Sequence, residues 1–111
     1  MRATLIATRQ FDRQIAGLLT ADQLAELEFA LAMNPDAHPV IPGTGGVRKM
    51  RWARQGKGKR GGIRVIYLYI TRAGVVGLIG AYAKSEKENL TSDDKKAILK
   101  IARWLEENYG G

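Results

Sequence analysis

Between Asp36 and Glu86 the chain has no acidic residue but ten cations: Arg48, Lys49, Arg51, Arg54, Lys57, Lys59, Arg60, Arg64, Arg72 and Lys84. Several of these are spaced for work on a phosphodiester. Lys49 and Arg51 are two residues apart, as are Tyr82 and Lys84, so in extended backbone each pair projects to one face of a sheet. Arg64 sits near the start of a separate apolar run. RNA cleavage suits that inventory without a metal. The ribose 2′-oxygen attacks the adjacent phosphorus, and the protein has only to orient the chain, stabilise charge and move protons. Guanidinium groups brace the phosphorane oxygens in pairs. A lysine crowded by other cations has its ammonium form destabilised. Half-deprotonation at pH 7 would place it roughly 3 below the ordinary lysine pKa, about 4–5 kcal/mol of differential interaction.

Other chemistries find little support. There is no cysteine and one histidine, His38, in a proline-rich loop, so neither a thiolate or imidazole metal centre nor a nucleophile–histidine pair can be assembled. The stretch GTGGVRK (43–49) resembles a phosphate loop, but the Walker spacing is absent and no helix follows. The expectation is no metal and no cofactor.

The formal charge is +7, and the residues outside the basic interval carry a net negative charge. Positive charge concentrated in the middle of a chain is the footprint of a polyanion binder, whereas a basic surface kept for solubility mixes signs. Arg48, Arg54, Lys57, Lys59 and Arg60 are the candidates for phosphate positioning. Lys57, Lys59 and Arg60 share the stretch GKGKRGG with four glycines, a loop able to approach a backbone closely and follow a phosphate ladder.

The elements that must carry these residues follow from periodicity. ATLIAT (3–8) is a short apolar run suited to an edge or second strand. Phe11, Ile15, Leu18 and Leu19 recur with helical spacing. Thr20 opens a capping box with Gln23 ahead of Leu24, Leu27 and Leu31, and that second helix ends near Asn34–Pro35. VRKMRWAR (47–54) reads as a half-buried strand, with Met50 and Trp52 on one face and Lys49 and Arg51 on the other. IRVIYLYIT (63–71) is apolar on both faces, as a central strand should be. RAG (72–74) makes a turn, VVGLIGAYAK (75–84) is the next strand, and Thr91 or Ser92 caps a last helix with Ile98, Ile101, Ala102 and Leu105 buried. The order is β-α-α-β-β-β-α, an α+β fold with a largely antiparallel twisted sheet, a helix pair and a C-terminal helix. At 111 residues and 45% hydrophobic content, one domain spanning 1–111 is expected. The first residues have too short an apolar run for a signal peptide and no stretch could span a bilayer, so the reading is cytoplasmic, with no membrane partner.

The segment GTGGVRKMRWARQGKGKRGGIRVIYLYI, followed by GAYAKSEKENLT, resembles the RelE/HigB toxins of bacterial type II toxin–antitoxin modules, within the RelE/ParE superfamily. The likeness covers nearly the whole chain and is densest from Gly43 to Leu90. It implies a microbial-ribonuclease-like fold and an endoribonuclease that cuts mRNA in the ribosomal A site. It also implies a cognate antitoxin, often one with a helix-turn-helix DNA-binding domain. By the resemblance, Lys49 and Arg51 match the paired cations of the second strand and Arg64 the arginine that contacts the scissile phosphate. Lys84 falls where the family has an arginine near the end of the last strand. The family's tyrosine shortly after that strand has no counterpart, since Leu90 is nearest; Tyr82, and more weakly Glu86, are the candidates for proton transfer. Two alternatives stay open: a ParE-like gyrase-binding toxin on the same fold, and a non-catalytic RNA-binding domain.

Overall fold

The computed structural model describes residues 2–54, 61–87 and 89–111. Among these residues four strands and three helices follow one another as β1 (Thr4–Ala7), α1 (Arg9–Ala16), α2 (Ala21–Met33), β2 (Arg48–Trp52), β3 (Ile63–Ile70), β4 (Val75–Ala83) and α3 (Ser92–Tyr109). This is the element order expected from the sequence. The strands form one sheet in the order β1-β4-β3-β2, with β1 parallel to β4 and the other two pairings antiparallel. The tight 3₁₀ turn Thr71–Ala73, closed by Gly74 in the left-handed region, connects β3 to β4 as a hairpin.

Local chemistry sets the helix ends. Thr8 caps α1 by accepting from the Phe11 amide. Thr20 and Gln23 form the expected capping box of α2, each side chain bonding the other's backbone amide. The apolar spacing suggested that α1 would run on through Leu19, but it stops at Ala16. Gly17 is a poor helix former, and Thr20 must be extended to cap α2, which leaves Gly17–Leu19 as the connection. Leu19 is nevertheless buried, reaching the core from that connection.

Two apolar layers hold the sheet. Phe11, Ile15, Leu27 and Leu31 of the helix pair pack on Met50, Val65, Tyr67, Val76 and Leu78. On the opposite face Ile98, Ala102 and Leu105 of α3 pack on Ile66, Leu68, Ile70 and Ile79. The helix comes so close that a Cβ on Gly77 would lie 2.5 Å from Leu105 Cδ1, which is why β4 has glycine there. β3 is buried on both faces over most of its length, as its composition required.

Strand β1 ends at Ala7, opposite Leu78, while β4 runs on to Ala83. Side chains of α1 and its cap complete the exposed edge. The Thr8 hydroxyl donates to Leu78 O, the Gln10 amide donates to Ile79 O, and Ala81 N donates to Gln14 Oε1 at 2.9 Å. A bulge accompanies this exchange: Ile66 pairs with Gly80 and Tyr67 with Leu78, leaving Ile79 as the extra residue. Among the described residues no helix is long and apolar enough to cross a membrane.

Candidate active site

The face covered by α3 is covered only in part. Ile66, Leu68 and Ile70 lie under the helix, and Arg64, one step earlier with the same parity, is left outside the apolar layer. The bulge sets the register so that Arg51, Arg64 and Tyr82 form one row across β2, β3 and β4. Lys49 is two residues from Arg51 on the same face, opposite Ile66. Lys84 extends the ladder past the end of β4, its amide donating to Gly62 O at 3.0 Å.

Together Lys49, Arg51, Arg64 and Lys84 line a cleft of about 310 Å³, with Asn89 as the fifth lining residue. Among the described residues no carboxylate lines it. The ion pairs among the described residues, Arg72–Glu106 and Lys87–Asp94, involve no cleft side chain. Four cations converging without an anion repel one another, and a bound phosphate relieves that repulsion. Arg64 is held over its own strand start, donating to Ile63 O at 3.3 Å.

The remaining sequence candidates are placed differently. Arg48 lies on the helix-pair face, opposite Tyr67, and donates to the carbonyls of His38 (2.7 Å) and Asp36 (3.2 Å). Arg54 ties Gly61 O to Leu18 O, joining the end of β2 to the connection between α1 and α2. Neither reaches the cleft. Glu86 is exposed on the turn after β4 and does not line it. Lys57, Lys59 and Arg60 lie outside the described residues.

Tyr82 is next to Arg64 in the row but tips into the apolar layer beneath α3. Its hydroxyl is buried with no hydrogen-bond partner among the described residues. Burial pushes the phenol above its ordinary pKa, and the charges of Arg64 and Lys87 pull the other way. The phenol is thus harder to ionise than an exposed tyrosine.

Residues 8–109 match the sequence model of the family described as the RelE toxin of the RelE / RelB toxin-antitoxin system. The chain belongs to the RelE toxin family. Among solved structures, a free-state form of the E. coli toxin RelE with two arginines changed to alanine is similar in fold. It is 18% identical, with a TM-score of 0.57 over 91% of this chain and 98% of that one.

Within this RelE-family fold, the position nearest the expected family tyrosine is Leu90, which packs with Tyr82 on the α3 side. Both line a second, smaller cavity of about 190 Å³, together with Gln10, Gln14, Lys87 and Asp94. Asn89 was not singled out from the sequence. It stands two residues ahead of the Thr91 cap. Thr91 and Asp94 form a capping box on α3, and Lys87 donates to Asp94 at 2.8 Å, so residues on either side of Asn89 are tied to the start of α3. The Lys87 bond and the Thr91 amide hold the Asp94 carboxyl below its usual pKa.

Proposed function

We propose that this protein is a toxin that cuts mRNA on the ribosome, a single-domain endoribonuclease of the cytoplasm that needs no metal. The observation carrying the proposal is the cleft in which Lys49, Arg51, Arg64 and Lys84 meet, with no carboxylate among the described residues that line it. Arg64, on the strand buried at the centre of the sheet, is the most rigidly based of the four and braces the phosphorane oxygens. Arg51 faces it across the ladder and supplies the second clamp. Lys84, just beyond β4, neutralises charge on the departing 5′-oxygen, and Lys49 positions a neighbouring phosphate. Tyr82, next to Arg64 in the row, is the candidate for the proton transfer left open because the family's later tyrosine has no counterpart here. Membership of the RelE family supports a cognate antitoxin as the partner that keeps the toxin silent, with a helix-turn-helix protein as the expected type.

The test is induction without a partner, followed by mapping of mRNA ends, and then cleavage by purified protein with and without translating ribosomes. Growth arrest with cuts inside coding regions is the expected result. Normal growth at verified soluble expression counts against a toxin. Intact mRNA with DNA breaks would instead mark a gyrase-directed poison, and binding without cutting a non-catalytic RNA-binding domain.

A further inference from the structure

Beside the phosphate cleft lies a groove of about 370 Å³ that shares two of its lining residues, Lys49 and Asn89. Its walls are Pro39, Val40, Ile41, Pro42 and Leu90, and Lys95 completes the rim. The chain has built this wall firmly. Residues 39–41 run along the outer edge of β2, with Lys49 N donating to Pro39 O at 3.0 Å and Ile41 N to Val47 O at 2.7 Å. Val40 bridges to Arg48, and the fully buried Thr44 hydroxyl donates to Ile41 O at 2.6 Å. Gly45 turns the loop with φ +71°, and a Cβ there would press on Leu99 of α3 at 3.1 Å. The wall is therefore preorganised, yet Val40 is 49% exposed, an apolar side chain with no role in the core.

We propose that this groove is a nucleobase subsite, in which a base flanking the scissile phosphate packs against Pro39, Val40, Pro42 and Leu90 while Asn89 reads its edge. The inference rests on the RNA-cleavage reading above. A groove that is apolar on its walls and cationic where it meets the cleft suits a flat, uncharged ring tethered to a phosphate. The side-chain amide of Asn89 offers one donor group and one acceptor side by side, the pattern that pairs with a base edge. Its position between groove and cleft places that amide within one nucleotide of the phosphate.

Single-turnover cleavage of four ribosome-bound mRNAs, differing only at one flanking nucleotide, tests the subsite; each flank is varied in turn. The wild type prefers particular bases at one flank, and Asn89→Ala lowers the best-to-worst rate ratio there about 10-fold, the scale of a lost two-point base contact. Val40→Trp, at an exposed position outside the cleft, fills the groove and lowers the rates with purines relative to those with pyrimidines at that same flank. Failure of the wild type to cut any of the mRNAs would defeat the RNA-cleavage reading and the subsite with it. Cleavage with no base preference, or with a preference that neither variant alters, overturns the subsite alone. So does a loss of antitoxin affinity in both variants with the base profile intact, which reassigns the groove to the protein partner.

Discussion

Arg51 and Arg64 stand directly opposite each other across the β2–β3 ladder, and Tyr82 follows Arg64 in the same row on β4. Two guanidinium groups paired across strands destabilise the sheet, by an amount on the order of 0.2–1 kcal/mol relative to a neutral pair. A fold selected only for stability would not retain that pair. Arg51→Thr should therefore raise stability by a few tenths to about 1 kcal/mol at low ionic strength, and the gain should shrink as salt screens the repulsion. The same substitution should slow cleavage, because one clamp on the phosphate is gone. Denaturant melts across a salt series, beside single-turnover rates, check both halves. A loss of stability at low salt would show that the pair attracts, by stacking, rather than repels.

Tyr82 offers a second separation of stability from activity. Its buried hydroxyl lacks a partner among the described residues, and such a group costs free energy instead of contributing it. Tyr82→Phe should leave the melting midpoint unchanged or raise stability by up to about 1 kcal/mol. If the phenol donates a proton, cleavage should fall about 100-fold, within the range for general acid catalysis. Because burial raises this pKa, the wild-type rate should decline only above the pH at which an exposed tyrosine ionises. A variant that cleaves normally would remove Tyr82 from the chemistry.

How much of this was legible beforehand depends on how local each cause is. Element order, the Thr20 cap, the narrowing of the last cap to Thr91 or Ser92 and the faces of Lys49, Arg51 and Trp52 follow from spacing within a few residues, and they read directly from the sequence. The end of α1 did not, because the apolar period continues through Leu19 while the backbone must break at Gly17 to serve the Thr20 cap. The cleft was half visible. Strand parity pairs Lys49 with Arg51 and Tyr82 with Lys84, but parity says nothing about how far α3 extends over the sheet. That extent divides Tyr82, which is tucked under the helix, from Lys84, which lines the cleft. Arg48 and Arg54 have the opposite parity to Arg51, but their charge keeps them among the phosphate candidates, and the loop carbonyls they bind remove them. Asn89 had no sequence signal; the Lys87–Asp94 contact and the α3 cap tie down the residues on either side of it.

Tyr67 governs the alkaline limit of the fold. Its ring is fully buried under the helix pair, and its hydroxyl donates to Pro35 O at 2.7 Å. Burial pushes this phenol from its ordinary 10 up to about 12. The folded state thus holds the proton more tightly than the unfolded chain does. The stabilisation is complete below pH 10 and is lost as pH rises toward about 12. Over that window the slope is about 1.4 kcal/mol for each pH step of one. Tyr67→Phe should abolish this part of the decline while costing about 1–2 kcal/mol at neutral pH, from the Pro35 carbonyl left without its donor. Chemical denaturation at pH 8, 10 and 11 gives the test (approximate settings chosen to bracket the window). An unchanged alkaline slope in the variant would assign the limit to another group.

Arg64 and Lys84 should act on one transition state from adjacent segments of the cleft. Arg64 is based on the central strand and Lys84 on the segment just beyond β4, joined through the Lys84 amide to Gly62 O. Arg64→Ala should leave the protein folded and associated with ribosomes but slow single-turnover cleavage at least about 100-fold, the loss typical of an oxyanion donor. Lys84→Ala should impair the same step. Groups that stabilise one developing charge are not independent, so the double variant should lose less than the product of the two single losses. Independent roles, with Arg64 on the phosphorane and Lys84 only on binding, would make the losses multiply and would move the Lys84 effect into affinity. Thermal melting of each variant separates these outcomes from unfolding, and Arg64→Lys checks geometry against charge. A lysine keeps the charge but not the paired donors, so a full rescue by Arg64→Lys would mean that charge alone is used, and the bidentate clamp would have to be abandoned.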